Sequence, residues 1–250
     1  MRPIAALVTF LGISVPLSVA QAPSVRLGEP IWARQATVLD RDCLQQTQSI
    51  PSPDHRFFVE IVCQKREADD PTYSLRILTP DNHRYESSLD EGAYELLWAP
   101  NSDAFFVNGG KTSYSDFFVT VYQLDSSAGV KKEVITDAAQ SDMVKSFPPC
   151  KAYNRDEDIC AKIAKHPAYN MSGLAWTEDS SAIYVFAEVP CSSSYGGIMC
   201  QVLGYVVSVP SGRILTRLSA RQVKLQWSRY TAWDMRVPEP PKYGPAHVTW

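Results

Sequence analysis

Leu97-Trp98-Ala99-Pro100-Asn101-Ser102-Asp103-Ala104-Phe105-Phe106-Val107 is the stretch on which the architecture turns. Pro, Asn, Ser and Asp at its centre are turn formers, and the bulky run Phe105-Phe106-Val107 favours extended chain. It reads as strand, tight turn, strand. The unit recurs without gaps as Ala175-Trp176-Thr177-Glu178-Asp179-Ser180-Ser181-Ala182-Ile183-Tyr184-Val185. An earlier copy, Pro51-Ser52-Pro53-Asp54-His55-Arg56-Phe57-Phe58-Val59, reads as one residue shorter and has Pro51 in place of Trp.

Working outward, each copy is followed by a further strand that ends in turn residues. These are Tyr73–Leu78 before Thr79-Pro80-Asp81, Phe118–Leu124 before Asp125-Ser126, and Gly204–Val209 before Pro210-Ser211-Gly212. The middle one alternates, with Val119, Val121 and Gln123 on one face and Phe118, Thr120 and Tyr122 on the other. Each repeat is therefore expected to be a small antiparallel sheet of three or four strands.

Trp98-Ala99-Pro100-Asn101-Ser102 and Ser52-Pro53-Asp54-His55 resemble the W-S-P-D-G turn of WD-like β-propeller blades in bacterial exported proteins, of the type found in the Tol-system translocation protein. The resemblance spans roughly residues 35–215 in three degenerate copies. It differs from the motif at Pro51, at Thr177-Glu178, and in having no turn glycine. It implies a mainly β fold, a partial or small propeller-like stack of antiparallel sheets. It also implies a binding or scaffolding role in a bacterial envelope or outside the cell.

Two segments have a different texture. Within about 136–170, Asp137-Ala138-Ala139-Gln140 suggests an N-cap at Asp137 and a short helix through Phe147, stopped by Pro148-Pro149. A second helical pattern carries Ile159, Ile163 and Ala164 on one face. This is expected to be a helical insertion in the β domain (23–236). Near the C-terminus Ser219-Ala220-Arg221-Gln222 is a capping-box pattern, with Val223, Trp227 and Tyr230 at helical spacing. Val223, Leu225 and Trp227 also alternate as a strand would. A Pro-rich tail, 237–250, closes the chain, with Trp233 and Trp250 available to pin it.

The N-terminus and the cysteines point to one compartment. Arg2, an apolar run from Ile4 to Ala20 and the end Ala20-Gln21-Ala22 form the three regions of a signal peptide, placed at 1–22. Six cysteines in an exported chain indicate disulfides. Fifteen pairings are formally open. Neighbour pairing, Cys43–Cys63, Cys150–Cys160 and Cys191–Cys200, is the simplest. After signal cleavage no membrane span is expected. With 24 Lys+Arg against 27 Asp+Glu the net charge is −3, which lacks the electrostatic footprint of a nucleic-acid binder.

No residue pattern assigns a catalytic role, a metal or a cofactor. His55, His83, His166 and His247 have no metal-ligand spacing, and neither a G-x-S-x-G elbow in the mature chain nor a phosphate loop is present. Asn154, Asp156 and Asp158 have the opening spacing of a calcium loop, but Ile159 stands where glycine is required and Lys165 where Glu is. Asn170-Met171-Ser172 is a glycosylation sequon where the source glycosylates. Trp98 and Trp176 share one repeat position and read as core, not as a sugar platform. The most suggestive binding stretch is the Cys191–Cys200 loop, with Ser194, Tyr195, Gly196 and Gly197 at its tip, because Tyr gives contact area at low entropy cost. The expected partner is another envelope or secreted protein. Two alternatives stand beside this: a hydrolase or lyase with a blade-loop active site, and a secreted inhibitor or immunity-type protein acting through disulfide-closed loops.

Overall fold

Strand follows strand along the chain, as the alternating patterns require. The computed structural model describes residues 32–39, 47–64, 72–80, 84–89, 92–110, 117–125, 129–147, 169–191 and 198–232. A two-residue strand β1 (Thr37–Val38) comes first. The first sheet is β2 (Thr47–Pro51), β3 (Phe58–Gln64), β4 (Thr72–Leu78) and β5 (Arg84–Ser88). The second is β6 (Ala93–Trp98), β7 (Ala104–Gly110), β8 (Phe117–Asp125) and β9 (Gly129–Val134). Helix α1 (Asp137–Ser146) follows. The third sheet is β10 (Asn170–Trp176), β11 (Ala182–Glu188), β12 (Val202–Ser208) and β13 (Ile214–Ser219), and it leads into α2 (Ala220–Trp227). Every sheet is an antiparallel meander in sequence order, and β1 adds to the inner edge of β6. The fold is mainly β, a propeller-like stack that does not close.

The repeated turn joins the first two strands of each sheet. Pro51 pairs with Phe58, Trp98 with Phe105 and Trp176 with Ile183. The three hairpins are thus equal in length, so the first copy is not one residue shorter; Phe58, not Phe57, matches Phe105. His55, Ser102 and Ser180 have φ values of 60°, 65° and 60° at the same place in each turn, where the W-S-P-D-G motif has glycine. Two bonds explain serine there. Ser102 Oγ accepts from the backbone N–H of Asp54 at 3.2 Å, and Ser180 Oγ accepts from the N–H of Asn101 at 3.2 Å. The hydroxyl of one turn ties it to the turn of the preceding sheet.

Side-chain rows show how the sheets stack. Trp98–Phe105–Tyr122 in the second sheet buries against Ile50, Val59, Ile61, Leu75 and Ile77 of the first. Trp176–Ile183–Val207 in the third buries against Phe106, Val119 and Val121 of the second. Each row faces the preceding sheet, and the middle sheet is buried on both faces. In the first sheet the same row is Pro51–Phe58–Leu78–Arg84, with no sheet before it among the described residues. Pro51 is exposed there and Phe58 is 38% exposed. Where this row meets no sheet among the described residues, Pro51 stands in place of Trp.

The far face of the third sheet is covered by α2. Ser219 and Gln222 form the capping box, and Val223 and Trp227 pack on Leu174, Phe186 and Leu218. Leu225, 71% exposed, excludes the strand reading. A Cβ on Gly204 would lie 2.5 Å from Val223 Cγ2 and 2.6 Å from the Trp227 ring, so glycine lets the helix approach. At the other predicted helix, Thr136 is the N-cap and makes no side-chain cap bond; Asp137 is the first helical residue, not the cap. The Thr136 carbonyl accepts the first helical bond, from Gln140 N–H at 2.8 Å.

Candidate functional site

The inner strands of neighbouring sheets pack directly on one another, and what lies between the outer strands differs from one pair of sheets to the next. Helix α1 fills the wedge between the second and third sheets. Ala139 and Met143 are fully buried there, and Val144 and Phe147 pack on the same core. Asp142 anchors the helix: its Oδ2 accepts from Tyr205 OH at 2.7 Å and from Arg217 Nε at 2.8 Å. Arg217 Nη2 also donates to Ser146 Oγ at 2.8 Å. Desolvation raises the Asp142 pKa, and the bonds from Tyr205 and Arg217 outweigh it, so the carboxyl is held below its ordinary range.

The wedge between the first and second sheets has no such plug among the described residues. The chain passes from Ser88 of β5 to Ala93 of β6, too few residues for a helix. At the turn end this wedge opens as a cleft of about 710 Å³. Phe57, Leu124 and Val130 give its lining an apolar part, and Arg56, Asp103 and Lys131 a charged one. Arg56 donates to Asp54 through Nε and to Asp103 through Nη2 at 3.1 Å, and lies 5.2 Å from the Phe57 ring centre. Lys131 Nζ is 2.8 Å from Glu133 Oε1. Further along the wedge Lys132, paired in register with Tyr122, lies 5.7 Å over its ring. Val134, at the end of the same strand, is 47% exposed.

Asp54 and Arg56 are held in their ionised forms. Desolvation pushes Asp54 up, but the Arg56 N–H and guanidinium and the Ser52 and Ser102 hydroxyls carry it well below the carboxylate range. Asp54 and Asp103 in turn raise Arg56. A group so far from neutral pH is poorly matched to general acid or base work. It is well matched to contact with a polar or charged ligand.

A second polar cluster holds the interior together. Glu95, wholly buried on β6, accepts from the backbone N–H groups of Trp32 and Ala33 at 3.2 and 3.0 Å and from Asn108 Nδ2 at 2.7 Å. Asn108 also exchanges bonds with Gly173 O and N at 2.8 and 2.7 Å. This joins the N-terminal strand segment and the second and third sheets, as buried polar groups must be satisfied.

Sequence-predicted residues fall in several places. Cys191–Cys200 is a disulfide, with Cα atoms 4.5 Å apart, at the base of the β11–β12 connection. Ser194, Tyr195, Gly196 and Gly197 at its tip lie outside the described residues. Cys63 is disulfide-bonded, while Cys43, Cys150 and Cys160 lie outside them, as do Asn154, Asp156, Asp158 and Ile159, His83, His166, His247 and the tail. His55 is an exposed turn residue. Trp98 and Trp176 are core, as read. The sequon fails as a surface site: Asn170 is 5% exposed in β10, its Nδ2 donating to Glu188 Oε2 at 3.3 Å. Glu188 itself has its pKa raised by desolvation, partly offset by that bond. Arg56, Lys131 and Lys132 were not singled out by motif. The available signal was positional: Lys132 ends the row that the third sheet ends with Ile214.

No family model and no curated protein matches the chain. Among solved structures it is similar to the β-propeller domain of the Trilobed protease from Pyrococcus furiosus, with a TM-score of 0.37 and 11% identity. That match covers 70% of this chain and 43% of the other. It is similar also to the acylaminoacyl peptidase of Pyrococcus horikoshii, with a TM-score of 0.37 and 9% identity over 74% of this chain and 25% of that one. A further acylaminoacyl peptidase, in complex with Z-Gly-Gly-Phe-chloromethyl ketone, has a TM-score of 0.36 and 10% identity, over 73% and 25%. The chain spans less than half the length of each, and the architecture assigned here rests on strand register and packing.

Proposed function

We propose that the protein is an exported, non-catalytic binding or scaffolding module that holds another envelope or secreted protein in the wedge between its first and second sheets. The observation that carries this reading is the 710 Å³ cleft beside that wedge, when the corresponding wedge one sheet along is plugged by α1. The volume lies within the range of ligand sites, roughly 300–1,000 Å³. Its apolar lining and paired charges suit a protein segment. Export is supported by the signal-peptide pattern and by the Cys191–Cys200 disulfide. The resemblance of the turns to WD-like blades of the Tol-system type supports a scaffolding role.

The inhibitor or immunity-type reading has one observation in its favour: the base of the Cys191–Cys200 loop is exposed, with Met199 at 45%. One experiment separates the two. A photocrosslinking amino acid is placed at Val130, at Met199 or at Glu86, and partners are trapped in the source organism. A discrete adduct from Val130 but not from Glu86 supports the wedge; an adduct from Met199 alone supports the loop. Adducts from none of them would overturn both.

A further inference from the structure

We propose that the Cys191–Cys200 disulfide is a thiol-exchange site, opened by a dithiol and closed again, in which Glu188 passes a proton to and from Cys191 Sγ. The site lies on the third sheet, away from the wedge. Cys191 is exposed and Cys200 half-buried, so both keep contact with solvent. Glu188 ends β11, and its Oε1 stands 3.5 Å from Cys191 Sγ. Its Oε2 accepts from Nδ2 of Asn170, the residue opposite it on β10, at 3.3 Å. Asn170 is buried, so this bond fixes one carboxyl oxygen and leaves the other at the sulfur. A disulfide sulfur has no proton to give. Only the protonated carboxyl can donate across that contact, and once the S–S bond opens the Cys191 thiol can donate back. Burial pushes the Glu188 carboxyl up; the Asn170 bond partly offsets this, and no charged side chain contributes. That moves it toward a thiol, whose ordinary pKa is about 8.5, and so toward proton exchange between the two.

Backbone bonds also hold the base of this loop. Val189 N–H donates to Gln201 O at 2.8 Å, and Val189 O accepts from Cys200 N–H at 2.9 Å, continuing the ladder in which Glu188 pairs with Val202. Val189 and Ile198 are buried in the core beside it. These contacts keep residues 191 and 200 close when the disulfide is open, so it can re-form without refolding of the sheet. In the exchange one thiolate of the dithiol attacks Cys200 Sγ, and the Cys191–Cys200 bond breaks as the mixed disulfide forms. Cys191 Sγ leaves with the electron pair and takes the Glu188 proton, which leaves a carboxylate. The second sulfur of the dithiol gives its proton to water and attacks the first. Cys200 Sγ then leaves and is protonated by water, which also returns the Glu188 proton. The dithiol is oxidised to a disulfide and the cysteine pair is reduced to two thiols.

The test is reduction of the oxidised full-length protein by dithiothreitol, in the parent and in Glu188→Gln. Alkylation and peptide mass spectrometry follow Cys191, Cys200 and Cys63 over time. While Glu188 holds its proton, the parent should open Cys191–Cys200 about a hundredfold faster per dithiothreitol thiolate, as for proton donation by a positioned side chain. That advantage should fall away as pH rises through the folded Glu188 value, because the carboxylate has no proton to give. An effect through stability alone has the opposite sign, since the ionised parent is the less stable form and its advantage would grow with pH. Cys63, which is also disulfide-bonded, should be reduced at the same rate in both proteins. Equal rates at Cys191–Cys200, an advantage that grows with pH, a change shared by Cys63, or no reduction short of unfolding each overturns the inference.

Discussion

Ser102 and Ser180 hold left-handed backbone that glycine would hold without strain, and each returns the cost as a bond to the preceding turn. Ser102→Ala keeps the strain and loses the bond; Ser102→Gly loses the bond and relieves the strain. Chemical denaturation should show the alanine variant less stable by about 1–2 kcal/mol, with glycine closer to the parent. Equal losses would contradict the assignment. Glu188 gives a prediction in pH. Its folded pKa is raised above the ordinary 4.5, so the folded state binds the proton more tightly than the unfolded state does. That contribution is full below 4.5 and is lost as pH rises through the folded value. Glu188→Gln keeps an acceptor for Asn170 and cannot ionise. Thermal melts should show it more stable than the parent once the pH has passed the folded value, and indistinguishable from it in acid below 4.5. At this scale the sequence was only partly legible. Serine in place of the motif glycine reads as decay until the neighbouring turn is seen, because the bond it makes lies between segments remote in the chain.

Elements were legible where the signal is local. The capping box at Ser219 and Gln222 and the helix it opens are read from four residues, since both bonds are made within one turn. The N-terminus of α1 lies one residue from the Asp137 cap that the sequence suggests, because Thr136 takes the cap position without a side-chain bond that would mark it. Two elements carry predictions. Gly204→Ala forces a Cβ against Val223 and Trp227, and displacing α2 should cost about 1–3 kcal/mol in denaturant unfolding. Asp142→Asn removes the charge that Tyr205 and Arg217 hold. The Asp142 pKa is depressed below its ordinary 3.8, so its contribution is present above 3.8 and is lost as pH falls through the folded value. The variant should therefore be less stable than the parent at neutral pH and lose that difference in strong acid, as circular-dichroism melts would show.

In the whole molecule, three copies of one unit form a body with different ends. One end is the outer face of the first sheet, where Glu60, Arg76 and Glu86 stand in one cross-strand row and Arg76 bonds Glu86 at 3.4 Å. The other end is closed by α2. A polar face at one end and a helix at the other suit a stack whose end sheets meet no further sheet among the described residues. None of this is written in the turn motif. It follows from which copy has a neighbour, and the sequence marks that only indirectly, through Pro51 where the other two rows have Trp. The wedge belongs to the same scale, since it exists only between two sheets. The middle sheet, buried on both faces, is expected to bind all three into one cooperative unit. Native-state hydrogen exchange across a denaturant series tests it most directly. Amides of Val59 and Leu75 in the first sheet and of Val185 and Tyr205 in the third should merge onto one global unfolding isotherm. A separate, lower isotherm for the first sheet would contradict the single body and, with it, a wedge rigid enough to hold a partner.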